Sequence, residues 1–379
     1  MSTGTSNDYW AKRNLPSTFK HELLRVYLPV FMARLSSVSE VAYIDGFAGA
    51  GRYEDGSPGS AEMSIKFASD LAKSRGRKFH LHYREKDADS FEKLTSVLAE
   101  NTHPNLVIDA RRGDISIDLG GILENHRSHP LLAFLDPCGF GVPYELLVKT
   151  MNRDAYNKPT ELLLNFSHEA FRRSAGAKEG QAAAAATHKR ITDAVGGDWW
   201  KSLFKEHKEG DDFGEVIARE FAKRLVSDTK ASVCIIPVKR SPTTKTIYSL
   251  VHVTRSGAAA FRMYDAVSRA HEKWWMTFES MEEPEDNYAL FEAPRQFDMN
   301  EHIKNTKPQL KENIIHLLHE GKPFEVSAVA PSILGSNLGS IPDKAIRQAL
   351  VELEKEGIIT IEYRKKKVEY WQIQQTMHS

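Results

Sequence analysis

The segment Tyr43-Ile44-Asp45-Gly46-Phe47-Ala48-Gly49-Ala50-Gly51 constrains this chain more than any other stretch. It follows a short apolar run, 41–44, that reads as a strand. Glycines at such a point let the backbone turn tightly and approach a ligand that a Cβ would block. The spacing is G-x-x-G-x-G, which differs from the G-x-G-x-x-G of the dinucleotide fingerprint. No G-x-x-x-x-G-K-[ST] occurs anywhere, which argues against a Walker-type ATPase.

Short apolar runs and helix-like segments alternate after this point. Strands are predicted at 79–83, 106–110, 131–135 and 161–166, and helices at 61–73 and 88–100, the first with Ser57, Pro58 and Ser60 as start signals. Alternation of buried strands with helices predicts an α/β fold, a mostly parallel sheet with helices on both faces. Residues 1–17 are polar, and 19–35 carry apolar residues at helical spacing that Pro29 is expected to break or kink. An Ala-rich stretch at 172–190 reads as a helix or a mobile insertion. The runs 233–238 and 246–253 predict an antiparallel hairpin, and 258–273 a helix. Residues 279–300 are acidic and aperiodic and read as a linker.

Residues 301–379 predict a small separate domain of three helices and a β-hairpin, the pattern of a winged helix. Ser340 and Asp343 suggest a capping box for its third helix, and 358–363 and 368–373 alternate like two strands. The expected organisation is an N-terminal helical segment (1–40), an α/β domain (41–278) with a helical insertion at about 168–230, a linker (279–300) and the winged helix (301–379).

Composition removes several function classes. Among 379 residues, 51 Lys and Arg balance 51 Asp and Glu, which excludes a histone-like basic binder but not a local basic patch. Cys138 and Cys234 are the two cysteines, too few for a disulfide framework or a four-thiolate metal site. With no long apolar run and no secretory signal at the start, the expectation is a cytoplasmic protein without a membrane partner. No C-x-x-C or H-E-x-x-H occurs, so no metal is expected.

Four motifs carry the chemistry. Asp45 followed by Gly46, Phe47, Gly49 and Gly51 resembles motif I of class I S-adenosylmethionine methyltransferases, where the loop cradles the methionine portion. Glu85, in Tyr83-Arg84-Glu85-Lys86-Asp87, stands where a carboxylate at the end of the second strand accepts from ribose hydroxyls, with Asp87 as the alternative. It lies 40 residues beyond Asp45, and the surplus loop 52–59 offers a segment that can close over a ligand. Asp114, in Arg111-Arg112-Gly113-Asp114, resembles the residue that holds the adenine amino group. Asp136-Pro137-Cys138-Gly139-Phe140 ends the fourth strand and resembles the D-P-P-Y motif of amino-group methyltransferases, but Cys138 replaces the second proline and Phe140 comes one place late. Asp136 and Pro137 are the candidate catalytic residues. His168 after the fifth strand offers a base or a solvated side chain, and Cys138 a nucleophile or a packed small residue.

Taken together, Y-I-D-G-F-A-G-A-G-R-Y, Y-R-E-K-D, F-L-D-P-C-G-F-G and L-L-L-N-F-S resemble the three-Cys-motif partner (TcmP) proteins over roughly residues 10–275. The resemblance implies a Rossmann-like class I methyltransferase sheet, S-adenosylmethionine as cofactor and a radical-SAM-like three-Cys-motif protein as partner. The leading expectation is a methyltransferase acting on DNA or RNA. Its nucleic-acid contacts would come from Lys344, Arg347 and Gln348 on the third helix of the winged domain and from Arg364, Lys365, Lys366 and Lys367 at the hairpin tip. Two alternatives stand: a non-catalytic nucleotide-binding module working with a protein partner, and a nuclease holding magnesium with Asp45, Glu85 and Asp136.

Overall fold

A computed structural model describes residues 15–34, 39–153, 158–177, 182–207, 213–282, 297–319 and 322–376. The polar start up to residue 14, most of the expected linker (283–296) and Gly321 lie outside the described residues. The chain divides into two compact units, one of Met1–Pro16 and Leu28–Arg255, the other of Ser17–Tyr27 and Ser256–Ser379. The second unit thus begins well before the expected boundary at 278.

The first unit is built on a seven-stranded sheet. Its strands are β1 (Glu40–Asp45), β2 (Lys78–Glu85), β3 (Leu106–Arg112), β4 (Leu131–Leu135), β5 (Thr160–Ser167), β6 (Ser232–Lys239) and β7 (Thr246–Thr254), in the order β3-β2-β1-β4-β5-β7-β6. The first five run parallel, and β7 lies antiparallel between β5 and β6. The order turns back at the β1–β4 pair, so a crevice is expected beyond the carboxyl ends of those strands. Central strands are buried almost along their length: all five residues of β4 are buried, as are five of the six in β1, where only the end residues Glu40 and Asp45 are charged. Both faces are covered, which is why these strands read as continuous runs instead of alternating.

The helices are α1 (Leu15–Arg34), α2 (Ser60–Arg75), α3 (Ala88–Ala99), α4 (Ile115–Asn125), α5 (Tyr144–Met151), α6 (His168–Ala175), α7 (Ala182–Val195), α8 (Trp200–His207) and α9 (Phe213–Thr229). Four of them, α6 to α9, lie between β5 and β6, and the alanine run opens α7. α1 continues through Pro29. Proline removes one backbone donor there, but Leu28, Phe31 and Met32 around it are all buried, and that burial outweighs the missing bond. Among the described residues no helix is long and apolar enough to cross a membrane.

The second unit contains α10 (Gly257–Glu282), α11 (Met299–Leu318), β8 (Phe324–Glu325), α12 (Val326–Leu334), α13 (Asp343–Lys355), β9 (Ile359–Tyr363) and β10 (Gln372–Gln375), with an antiparallel sheet ordered β8-β10-β9. The strand expected at 368–373 is shorter: Val368–Tyr370 is a 3-10 turn and β10 starts at Gln372. The expected capping box is absent. Ser340 Oγ donates to the Asn337 carbonyl, and the Asp343 N–H is satisfied by Asp265 of α10 at 3.0 Å. Arg262 of α10 is held by Glu369, which is fully buried, and by Asp343 at 2.9 Å. Removing one partner of such a pair strands a buried charge. Arg262→Met should therefore destabilise this unit by about 3–5 kcal/mol. Urea unfolding followed by tryptophan fluorescence should show this, with most of the stability recovered in the Arg262→Met/Glu369→Gln double variant; a change well under 1 kcal/mol would contradict the assignment.

Candidate functional site

The carboxyl ends of β3, β2, β1, β4 and β5 bring Asp114, Glu85, Asp45, Asp136 and Asn165 to one edge of the sheet. Register accounts for it: Asp45 pairs laterally with Tyr83 and Phe134, and Glu85 with Arg112. Asp45 is buried at the end of β1, and its Oδ1 accepts from the Phe47 N–H at 3.3 Å. The turn then runs through Gly49 (φ 58°) and Gly51 (φ 78°), both in the left-handed region that side chains resist. Gly46 is constrained differently, since a Cβ there would come 2.7 Å from Leu135 Cδ2.

Glu85 joins this turn to its neighbours. Its Oε2 accepts from the Gly49 N–H at 2.9 Å and its Oε1 from the Asp87 N–H at 2.8 Å. Its carbonyl accepts from Gly113 at 2.8 Å, and the carbonyl of Arg84 accepts from Ala48 at 2.9 Å. Arg84 itself is buried and bonds Asp109 at 2.9 Å and Asp118 at 2.6 Å, fixing the end of β2 against β3 and α4. Asp87, the alternative ribose ligand, caps α3 by accepting from Ser90 N–H at 2.8 Å. That bond holds its carboxyl below the usual range.

Asp114 caps α4, accepting from the Ser116 N–H at 2.9 Å, and pairs with Lys86 at 2.7 Å. Burial works against its charge, but Lys86 and Ser116 outweigh it and hold the carboxyl low. The loop 52–59 is closed on itself by Gly59 N–H to Gly51 carbonyl (2.9 Å) and Tyr53 N–H to Ser57 carbonyl (2.9 Å). Arg52 anchors it through a fork onto Glu62, at 2.7 and 2.8 Å.

Across β1, Asp136 Oδ1 accepts from Asn165 Nδ2 at 2.8 Å. Asn165 Oδ1 is buried with no hydrogen-bond partner. A pocket opens beside Pro137, walled by Phe140, Leu164, Phe166 and Phe171, with Asn165 at its polar edge. Phe166 and Phe171 stack at 4.3 Å, and Phe140 meets Phe171 edge-on at 4.9 Å. Sequence reasoning misses Asn165 as a site residue; the available signal is a lone amide inside the apolar run of β5.

The remaining candidates separate from this edge. His168 is buried, and its Nε2 meets Ser249 Oγ at 2.9 Å, so it is not the solvated side chain expected. Cys138 is exposed, and burial pushes the Cys234 thiol up to about 12. In the second unit, Arg347 and Arg364 are not the free surface charges expected. Both guanidinium groups stack on the Trp371 ring, at 4.9 and 5.0 Å, and Arg364 also pairs with Glu354. Lys344 donates to Asn300 at 3.0 Å, while Gln348, Lys365, Lys366 and Lys367 are placed away from the core, at the surface or close to it. Among the described residues, Asp45, Glu85 and Asp136 do not converge as metal ligands. The side chains that do are His80, His126 and His129, away from this edge and against the expectation of no metal cluster.

No protein-family model matches the sequence, and no curated protein matches it. Solved structures with a similar fold include the small RNA methyltransferase HEN1, at 12% identity and TM-score 0.31, where the match covers 61% of this chain and 25% of that one. The methyltransferase domain of bacterial CtHen1 matches at 13% identity and TM-score 0.31, covering 61% of this chain and 99% of that one. Trm1 from Pyrococcus horikoshii, solved with S-adenosyl-L-methionine, matches at 13% identity and TM-score 0.36, covering 82% and 87%. The chain thus spans about a quarter of the length of HEN1.

Burial sets the charge state of His168. It pushes the imidazole down to about 4, with Arg172 adding to the shift. The unfolded chain takes up this proton near pH 6.5, so stability from the neutral ring is present above that pH and is lost as pH falls toward 4. The whole effect is about 3 kcal/mol. His168→Asn should flatten the pH dependence of unfolding between pH 6.5 and 4 by about that amount; an unchanged slope would contradict a neutral buried ring.

Proposed function

We propose that the first unit is an S-adenosylmethionine-dependent methyltransferase domain whose acceptor is a nucleic-acid base. The observation that carries the reading is the Glu85 carboxylate, held beside the left-handed glycine turn at the carboxyl edge of the sheet. A carboxylate there is an acceptor for two ribose hydroxyls. The glycine turn leaves backbone N–H groups and no side chains beside it. The sheet order, with its antiparallel β7, is the one class I methyltransferases use and supports the same reading. The finer resemblance to three-Cys-motif partner proteins rests on the motifs alone.

In this reading Asp45, Gly46, Phe47, Gly49 and Gly51 take the methionine end, Glu85 the ribose, and Asp114 the adenine amino group in exchange for Lys86. The cofactor, when bound, supplies an electrophilic methyl group on its sulfonium. The chain supplies position: an acceptor nitrogen must lie in line with that methyl. The Asn165 Oδ1, Asp136 and the Pro137 carbonyl are the acceptors suited to an amine N–H, and the wall of Phe140, Phe166 and Phe171 suits a planar base.

The second unit adds a candidate recognition module. From α11 on, its order of helix, strand, two helices and two strands fits a winged helix, and three lysines, Lys365, Lys366 and Lys367, stand between β9 and β10. Replacing all three with Ala should weaken DNA or RNA binding without sequence preference. The salt slope should shrink by up to about one for each phosphate the wing no longer touches. Gel shifts across a salt series measure this; an unchanged slope would remove the wing from the interface.

Calorimetry with S-adenosylmethionine and S-adenosylhomocysteine tests the cofactor directly. Both should bind the wild type, and Glu85→Ala should weaken binding by about 1–3 kcal/mol, since two hydroxyls lose their acceptor. Gly49→Val should abolish binding, because a branched side chain resists φ near 58° and would fill the approach. A folded wild type that binds neither ligand would overturn the proposal.

A further inference from the structure

The amino-terminal edge of the sheet carries a second cluster. Glu40 opens β1, and His80, in β2, pairs laterally with Ala42. His126 and His129 lie in the turn between α4 and β4. One ring nitrogen from each of His80, His126 and His129 lies within 4.8 Å of the others. Glu40 Oε2 stands 2.6 Å from His80 Nε2 and 3.5 Å from His129 Nε2. Arg153 fixes the turn, donating to the carbonyls of His126 at 2.6 Å and His129 at 2.7 Å.

A chain of ring contacts backs the cluster, from Asp109 Oδ2 to His82 Nδ1 (3.0 Å), from His82 Nε2 to His126 Nε2 (2.7 Å) and from His126 Nδ1 to His129 Nδ1 (3.0 Å). Three imidazoles and a carboxylate thus converge on one spot, on a turn whose backbone Arg153 holds in place.

We propose that His80, His126 and His129, with Glu40, form a binding site for one divalent transition-metal ion, zinc by its chemistry. Imidazole nitrogens and a carboxylate oxygen are zinc donors, and four such ligands at about 2.0–2.2 Å make a closed tetrahedral site. Magnesium prefers an oxygen shell and its own water. His82, backed by Asp109, meets His126 Nε2 and orients that ring from behind, with His126 Nδ1 on the side of His129. Lys78 Nζ, 3.4 Å from Glu40 and 43% exposed, is the cation that gives way. The site lies at the sheet edge opposite the glycine turn, so its role is structural: it clamps the start of β1, β2 and the α4–β4 turn together.

The test uses the untagged full chain, stripped with chelator, dialysed and titrated with zinc chloride. Elemental analysis should find one zinc per chain, with a raised melting temperature and no response to magnesium. Cobalt should give the visible bands of a four-coordinate nitrogen and oxygen site without a thiolate charge-transfer band. His80→Ala and His129→Ala should each weaken zinc binding at least tenfold, as should the gentler Glu40→Gln, while Cys138→Ser should leave it unchanged. No saturable zinc binding, or binding that survives both histidine substitutions, would overturn the proposal.

Discussion

The Glu85 carboxylate is the tie on which the site depends. One oxygen holds the glycine turn after β1, the other holds the turn after β2, and the carbonyl of the same residue holds the turn after β3. Three loops are thereby set by one residue at the carboxyl edge of a parallel sheet. The buried Arg84 beside it, paired with Asp109 and Asp118, keeps the end of β2 from shifting. Charge-assisted bonds to backbone donors are stronger than neutral ones, so the turn is already shaped for a ligand that needs a carboxylate acceptor and bare backbone.

Much of this is legible in the sequence because parallel strands buried on both faces leave a continuous apolar signal. The apolar runs mark β1, β2, β4 and β5 to within a few residues, and the acidic residues at their ends follow. Glu85 and Asp87 cannot be told apart by sequence, since both are acids after a strand; in the structure Asp87 caps α3 and Glu85 accepts from the Gly49 N–H. Two short helices, α4 and α5, escape the pattern: Gly120 and Gly121 weaken the helical signal of the first, and the second has only eight residues.

Long-range partners are the part sequence does not reach. The bond from Asn165 to Asp136 joins positions 29 residues apart on neighbouring strands. Asp265 serves α13 from 78 residues away, in place of the expected local cap. The histidine cluster leaves a faint trace as His80-Leu81-His82 and His126-Arg127-Ser128-His129, but only the pairing of β1 with β2 and the turn before β4 brings it together. Aromatic packing likewise redirects Arg347 and Arg364, whose charges suggest open surface and whose guanidinium groups instead lie on Trp371.

Amide hydrogen exchange with and without S-adenosylhomocysteine tests the central claim most directly, because it reads the same backbone donors that define the site. The account predicts slowed exchange in 46–51, 85–89 and 113–118, with no change across 324–376. Slowed exchange elsewhere with none in the glycine turn, or no change anywhere at saturating ligand, would contradict it.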